Sequence, residues 1–440
     1  MSEHHSGLKL GVFLQANGNH LAAWRHPQGW DDIASDVRRY HAMAREAEAA
    51  GFDLLFLADT LGFTFGGGLT TRLESSGRVI GYEPLTLLAN LAAVTEHIGL
   101  VGTVSTSFTE PYNVARQFAS LDIVSGGRSG WNMVTSGSDT EARNFSRERH
   151  LDHGLRYERA REFVQVVKGL WRSWEPGSFI RDKQAGRFFD ISRCHPLDHH
   201  GKHFSVQGPL NIAPSPQGAP VVFQAGGSDT GLALAAHTAE VVFAACRGVE
   251  DAQDYSLRLR ALLRAAGRAD GELKIMPGLV PIVDITREKA MRKHEQLQAL
   301  ISPQTALEEL QLLLPGVSLD TRDPDAPFPL DLTLTNASQS RQALIVKMSD
   351  NGHRSILEVA REVAAYRGHW LMVGSVEEVV DQMEAAFRCG AVDGFNIMPA
   401  YLPDGLVDFR QLITPELRRR GLIPEQPVAG TLRARLGLPQ

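Results

Sequence analysis

The chain has 440 residues, with 45 Lys and Arg against 51 Asp and Glu, a net charge of −6, and 43% hydrophobic and 22% charged residues. This is ordinary globular composition, which excludes disorder, collagen and a disulfide scaffold as descriptions of the whole chain, and its mild acidity argues against a dedicated nucleic-acid or anionic-membrane surface. No apolar run reaches the roughly 20 residues that a bilayer span needs. MSEHHSGLKL lacks the charged-then-apolar pattern of a secretory leader. Cys194, Cys246 and Cys389 are an odd number with no CxxC, which fits a reduced, cytoplasmic setting.

Strand-like runs alternate with helical segments along the chain. Leu8–Leu14 is the first run, and a helix over 32–50 follows, with Asp31 and Asp32 as its expected caps. Phe52–Asp59 is the second run. A helix over 83–96 leads to Ile98–Ser105, and Pro111 opens another helix. Residues 127–135 are the fourth run, and a long helix over 154–172 precedes Pro220–Gly226. GLALAAHTA is helical, and Glu240–Cys246, a helix over 250–266 and the run 272–284 come next. A helix over VEEVVDQMEAAFRCG and the run Gly394–Ala400 complete the series. Runs this apolar are buried on both faces, as parallel strands are. Eight such β/α units predict a TIM (β/α)8 barrel. The competing open doubly wound sheet lacks its Gly-rich dinucleotide turn, because LQANGNH follows the first strand.

A minimal barrel takes about 250 residues, so the chain reads as one barrel domain over 1–440 with long insertions. These fall near 60–83, which is Gly/Thr-rich, and near 175–218, where GRFFDIS and KHFSVQG look like a hairpin or excursion. The third is near 303–350, where Pro303, Pro315, Pro324, Pro327 and Pro329 predict irregular chain. The glycines at 66–68 read as loop flexibility.

Barrel active sites lie where the strands end. Asp59, Thr103, Ser105, Asn132, Thr135 and Ser136 stand at ends of the second, third and fourth runs. QAGGSDTG, residues 224–231, carries a strand into a Gly-Gly-Ser turn and then a helix. Free N–H groups there, with the Ser228 hydroxyl and close backbone approach at Gly226 and Gly227, suit a phosphate. The same residues read equally as a simple helix cap by Ser228 or Asp229, and the Asp229 charge opposes a phosphate. His153 and Tyr157, four apart at a helix start, share one face and both can donate, either to a ligand or as a surface pair. Cys194, His195, His199, His200 and His203 cluster without zinc-finger spacing. No HExxH, GxSxG or Walker motif occurs, so no metal site is expected. Arg143, Arg147 and Arg149 follow the fourth run and read as a solvated face or as partners for an anionic substrate.

Several segments together resemble the nitrilotriacetate monooxygenase component A branch of the bacterial luciferase-like flavin enzymes. They are GLVGTVSTSFTEPYNVARQFASLDIVSGGRSGWNMVTS, DHGLRYERAREFVQVVKGLWRSW and HHGKHFSVQGPLNIAPSPQGAPVVFQAGGSDTG. The resemblance runs from LGVFLQ to GFNIMPAYLP and implies a barrel that binds FMN at its C-terminal mouth. It places Asp59, Thr103, Asn132, His153, Tyr157, Gly227 and Ser228 against the flavin, with His153, Tyr157 and Ser228 at the phosphate. It further implies FMNH2 supplied by a separate NAD(P)H:FMN oxidoreductase, and O2 used to oxygenate a small organic substrate. The expected assembly is a homo-oligomer, dimer or tetramer. The alternatives are an F420-dependent hydride carrier of the same fold, and a monooxygenase of sulfones, thioethers or alkanes rather than aminopolycarboxylates. No dedicated acid–base residue stands out in the sequence.

Overall fold

The eight apolar runs become the eight parallel strands of a closed barrel in the computed structural model, which describes residues 7–63, 70–314, 317, 319, 322–330, 332, 339–426 and 428–439. In chain order the strands are β1 (Lys9–Phe13), β2 (Leu54–Leu57), β3 (Gly99–Ser105) and β4 (Ser129–Val134). The short pair β5 (His199–His200) and β6 (Ser205–Val206) stands apart from the barrel. Then come β7 (Val221–Ala225), β8 (Val241–Ala244), β9 (Lys274–Asp284), β10 (Trp370–Ser375) and β11 (Gly394–Ile397). The closed circuit is β1-β2-β3-β4-β7-β8-β9-β11, every neighbour parallel.

Two clusters sandwich this sheet. Alternate residues such as Leu54, Phe56, Val101, Phe223, Val241, Met276 and Val280 fill the interior, while Leu55, Leu57, Leu100 and Val242 pack outward on the helices. Phe13, Phe56 and Phe243 meet inside the barrel with ring centroids 5.3–5.7 Å apart. Gly278 on β9 is required there. A Cβ at that position would lie 2.6 Å from His369 Nδ1 and 2.8 Å from the Phe243 ring. The turn Leu432–Arg435 covers the opposite end, where Arg435 Nη2 donates to the Phe52 carbonyl at 3.0 Å. No helix among the described residues is long and apolar enough to cross a membrane.

The structure departs from the sequence reading in several places. The first helix is Val37–Ala49 and its cap is Asp36, which accepts from Arg38 N, not Asp31 or Asp32. Those two acids instead order the preceding loop, Asp32 accepting from Ala34 N. The helix expected over 83–96 is Pro84–Ala92, capped by Glu83. Only KHFSVQG supplies a hairpin strand, because GRFFDIS makes no more than the bridge Asp182–Arg187. The third insertion is helical at its two ends where irregular chain was expected, while residues 322–330, with Pro324, Pro327 and Pro329, are irregular as expected. Pro303 occupies the first turn of the helix Pro303–Leu313, where its missing N–H does no harm, and Ser302 caps it. The helices Gln339–Met348 and Ile356–Tyr366 follow. β10 is a strand the reading missed. It pairs with the second half of β9, beyond the stretch that closes the barrel. Glycines 66–68 and part of 315–338 lie outside the described residues.

Candidate active site

One group of predicted residues lies on adjacent strands. Register sets Thr103 beside Asn132, and the Asn132 amide donates to Thr103 Oγ1 at 2.8 Å. Thr103 in turn donates to the Leu57 carbonyl at 2.8 Å, which ties β2, β3 and β4 together at the mouth. Both side chains are buried, yet Asn132 Oδ1 has no hydrogen-bond partner. A buried amide oxygen left open is costly unless a ligand donor meets it. Asp59 follows β2 and is half-buried. Burial pushes its carboxyl up to about 6; Glu83 and Glu141 add to this while the Thr60 amide opposes it.

The second group lies next to the first, on the chain that follows β4 and β7. Ser228 caps the helix Asp229–Thr238, accepting from Gly231 N at 3.1 Å. The capping alternative is therefore realised, and it leaves the hydroxyl proton available to donate. A Cβ on Gly231 would lie 3.1 Å from Ser228 Oγ and 3.4 Å from the Tyr157 hydroxyl, so both oxygens converge on that helix start. Tyr157 and His153, on the helix His153–Trp171, pack with ring centroids 4.7 Å apart. Asp229 does not face this spot as a competing charge. Its carboxylate is solvent-exposed and pairs with Arg258 at 2.6 Å. Gly227 links the turn to a neighbouring cavity.

Sequence reasoning passed over Arg156, while Ser136 was among the strand-end residues it named. Arg156 is only 3% exposed, one turn from His153, and burial followed by its charge lowers the His153 pKa. Its guanidinium reaches to 3.7 Å from a Cβ placed on Gly137, so it stands by the chain that leaves β4. Ser136 holds a left-handed φ of 54° and its hydroxyl meets that of Ser105 at 2.9 Å. Such strain in a non-glycine residue concentrates at functional sites. The first arginine of DHGLRYERA, three residues after His153, was the available signal.

Other candidates stay outside. Arg143 and Arg149 are exposed, and Arg147 lies over the Phe108 ring at 5.7 Å. His195, His199 and His203 contact three different carboxylates, Glu175, Glu162 and Glu158. Among the described residues no group of three or more His, Cys, Asp or Glu is placed to hold a metal ion.

The family model for luciferase-like monooxygenases matches residues 9–393. The chain is 45% identical to N-acetyl-S-(2-succino)cysteine monooxygenase of Bacillus subtilis (strain 168), over 98% of this chain and 96% of that one. It is 40% identical to nitrilotriacetate monooxygenase component A of Aminobacter aminovorans, with the same coverages. Among solved structures, a riboflavin lyase crystallised with modified FMN and riboflavin superposes with a TM-score of 0.88. That pair is 31% identical, over 98% of this chain and 96% of the other.

Proposed function

The chain belongs to the luciferase-like monooxygenase family, and we propose that it oxygenates a small organic substrate with O2 and reduced FMN delivered by a separate NAD(P)H:FMN oxidoreductase. A flavin-dependent monooxygenase is the established frame. FMNH2, the reductase, a cytoplasmic setting and a dimer or tetramer are our reading within it. The alternative of an F420 hydride carrier finds no favour in relatives at 45% and 40% identity that are named monooxygenases.

The observation that carries the reading is the convergence of Tyr157 and Ser228 on one helix start, with Arg156 nearby. Hydroxyl donors, a helix N-terminus and a guanidinium are the donor set a phosphate monoester requires. In this assignment Tyr157, Ser228 and His153 hold the phosphate, and the Gly227 backbone lets it approach. The open Asn132 oxygen accepts from a ring or ribityl donor, Thr103 orients Asn132, and Asp59 borders the ring side. The bound flavin supplies the oxidative chemistry. The protein positions it, and the phenylalanines and insertions exclude water.

Ser228→Ala and His153→Ala are each expected to weaken FMNH2 binding by roughly 1–3 kcal/mol, the loss typical of a charge-assisted contact. Anaerobic titration of both variants checks this. Affinity equal to wild type in both would overturn the assignment.

A further inference from the structure

Beside the phosphate turn lies a cavity of about 480 Å³, lined among others by Gly227, Phe243, Lys347, His369 and Arg341. Its charges are unevenly matched. Asp251 on one wall contacts Lys347, and Arg258 contacts Asp229 and Asp254. Glu250 is exposed. Arg341, brought in by the helix Gln339–Met348, has no carboxylate within 4.0 Å among the described residues. Its hydrogen bond goes to the Arg367 carbonyl. Arg367 itself cannot share an acid with it, because its guanidinium is committed to Glu309 at 2.8 Å.

The adjoining wall is also short of a partner. His369 is 92% buried, stacked on Phe243 with centroids 5.3 Å apart and rings 13° from parallel, yet its Nδ1 has no hydrogen bond. Burial, then the charges of Arg341, Arg367 and Arg78, hold its pKa far below the ordinary value, so the ring is neutral. Arg341 is pushed down to about 10, by burial first and Arg367 second. A half-buried guanidinium without a counter-ion among the described residues, beside a neutral imidazole, is an incomplete set of interactions. A carboxylate paired with Arg341 completes it, with the His369 ring as the neighbouring wall.

We propose that this cavity binds a carboxylate of the substrate, on Arg341 with His369 beside it, so that the enzyme selects carboxylate-bearing substrates. This rests on the monooxygenase reading, since it assigns the anchor for the molecule to be oxygenated. The third insertion, which supplies Arg341, is then a specificity-determining element.

The test separates the two. Calorimetry on the flavin-free enzyme, run anaerobically, measures succinate and FMNH2 binding independently. The wild type is expected to bind succinate, Arg341→Gln to lose at least about tenfold in affinity, and Arg341→Lys to recover part of it. FMNH2 affinity and Tm should be unchanged in Arg341→Gln, which distinguishes a lost contact from a lost fold. His369→Phe keeps the stack on Phe243, removes the nitrogen and should weaken succinate less than Arg341→Gln does. With reductase and O2, Arg341→Gln should raise KM for a thioether carboxylic acid and not for its methyl ester. No succinate binding by the wild type, equal binding by Arg341→Gln, or turnover confined to uncharged substrates overturns the proposal. Absence of FMNH2 binding by the wild type in the anaerobic titration overturns the underlying reading instead.

Discussion

The two sides of the barrel mouth are held by different physics. At the proposed phosphate end, the helix start at Ser228 and the hydroxyl of Tyr157 form a set of neutral donors around a short turn. At the insertion end, fixed charges are buried together. Glu309 is fully buried and binds Arg72 at 2.7 Å and Arg367 at 2.8 Å, with Arg78 at 4.0 Å. Glu308 also accepts from the Arg72 backbone at 2.7 Å, so the first and third insertions are joined across the mouth. Neutral donors tolerate the loss of one member, whereas a buried carboxylate shared by several guanidinium groups does not.

Glu309→Gln therefore has the largest expected effect. It leaves buried cations without their counter-charge and should cost roughly 3–5 kcal/mol, read from urea unfolding. The pH dependence carries the same signature. Burial alone would raise the Glu309 carboxyl, but Arg367, Arg72 and Arg78 outweigh it and hold it at about 2, below its ordinary 4.5. A depressed acid stabilises the fold above its unfolded value and loses this as pH falls toward the folded one. Wild-type stability should thus drop between about pH 4.5 and 2 by more than that of Glu309→Gln, and equal slopes would refute the role given to the cluster.

Asp59 gives a smaller effect of opposite sign. Its carboxyl is raised from 3.8 to about 6, first by burial and then by Glu83 and Glu141. A raised acid contributes stability that is full below its unfolded pKa and is lost as pH rises through the folded one. Between about pH 4 and 7, the wild-type Tm should fall relative to that of Asp59→Asn. Parallel curves would show that Asp59 is as well solvated as a free carboxylate.

The same contrast explains what could be read in advance. The cluster proposed to hold the phosphate could be assembled in advance because its parts are local. QAGGSDTG is contiguous, and His153 and Tyr157 are one helical turn apart. The barrel was legible because each strand is buried on both faces and shows it in composition. The insertion end was not, because Arg72, Glu309 and Arg367 come from distant segments and no periodicity links them. β10 escaped for a related reason. WLMVGS alternates buried and half-buried residues and pairs outside the eight-strand circuit, so it lacks the uniform apolarity that marked the others. Arg341 follows a proline-rich stretch that pointed to irregular chain as far as 350, although the segment carrying it is helical.

The excursion before β7 marks the weak limit of the comparison. His195 and Glu175 are 2.7 Å apart, but about half of each side chain is in water. Solvent screens such a pair, and either side chain recovers hydration when the other is removed. His203 and Glu158 meet at 2.8 Å with Glu158 similarly open. Since these histidines face separate carboxylates, they share no common point at which a cation would gain several ligands. His195→Ala should leave Tm and FMN affinity at wild-type values, and equimolar Zn2+ should not shift Tm. A fall in Tm comparable to that of Glu309→Gln would mean that exposed pairs, and not burial of charge, hold the loops around the mouth.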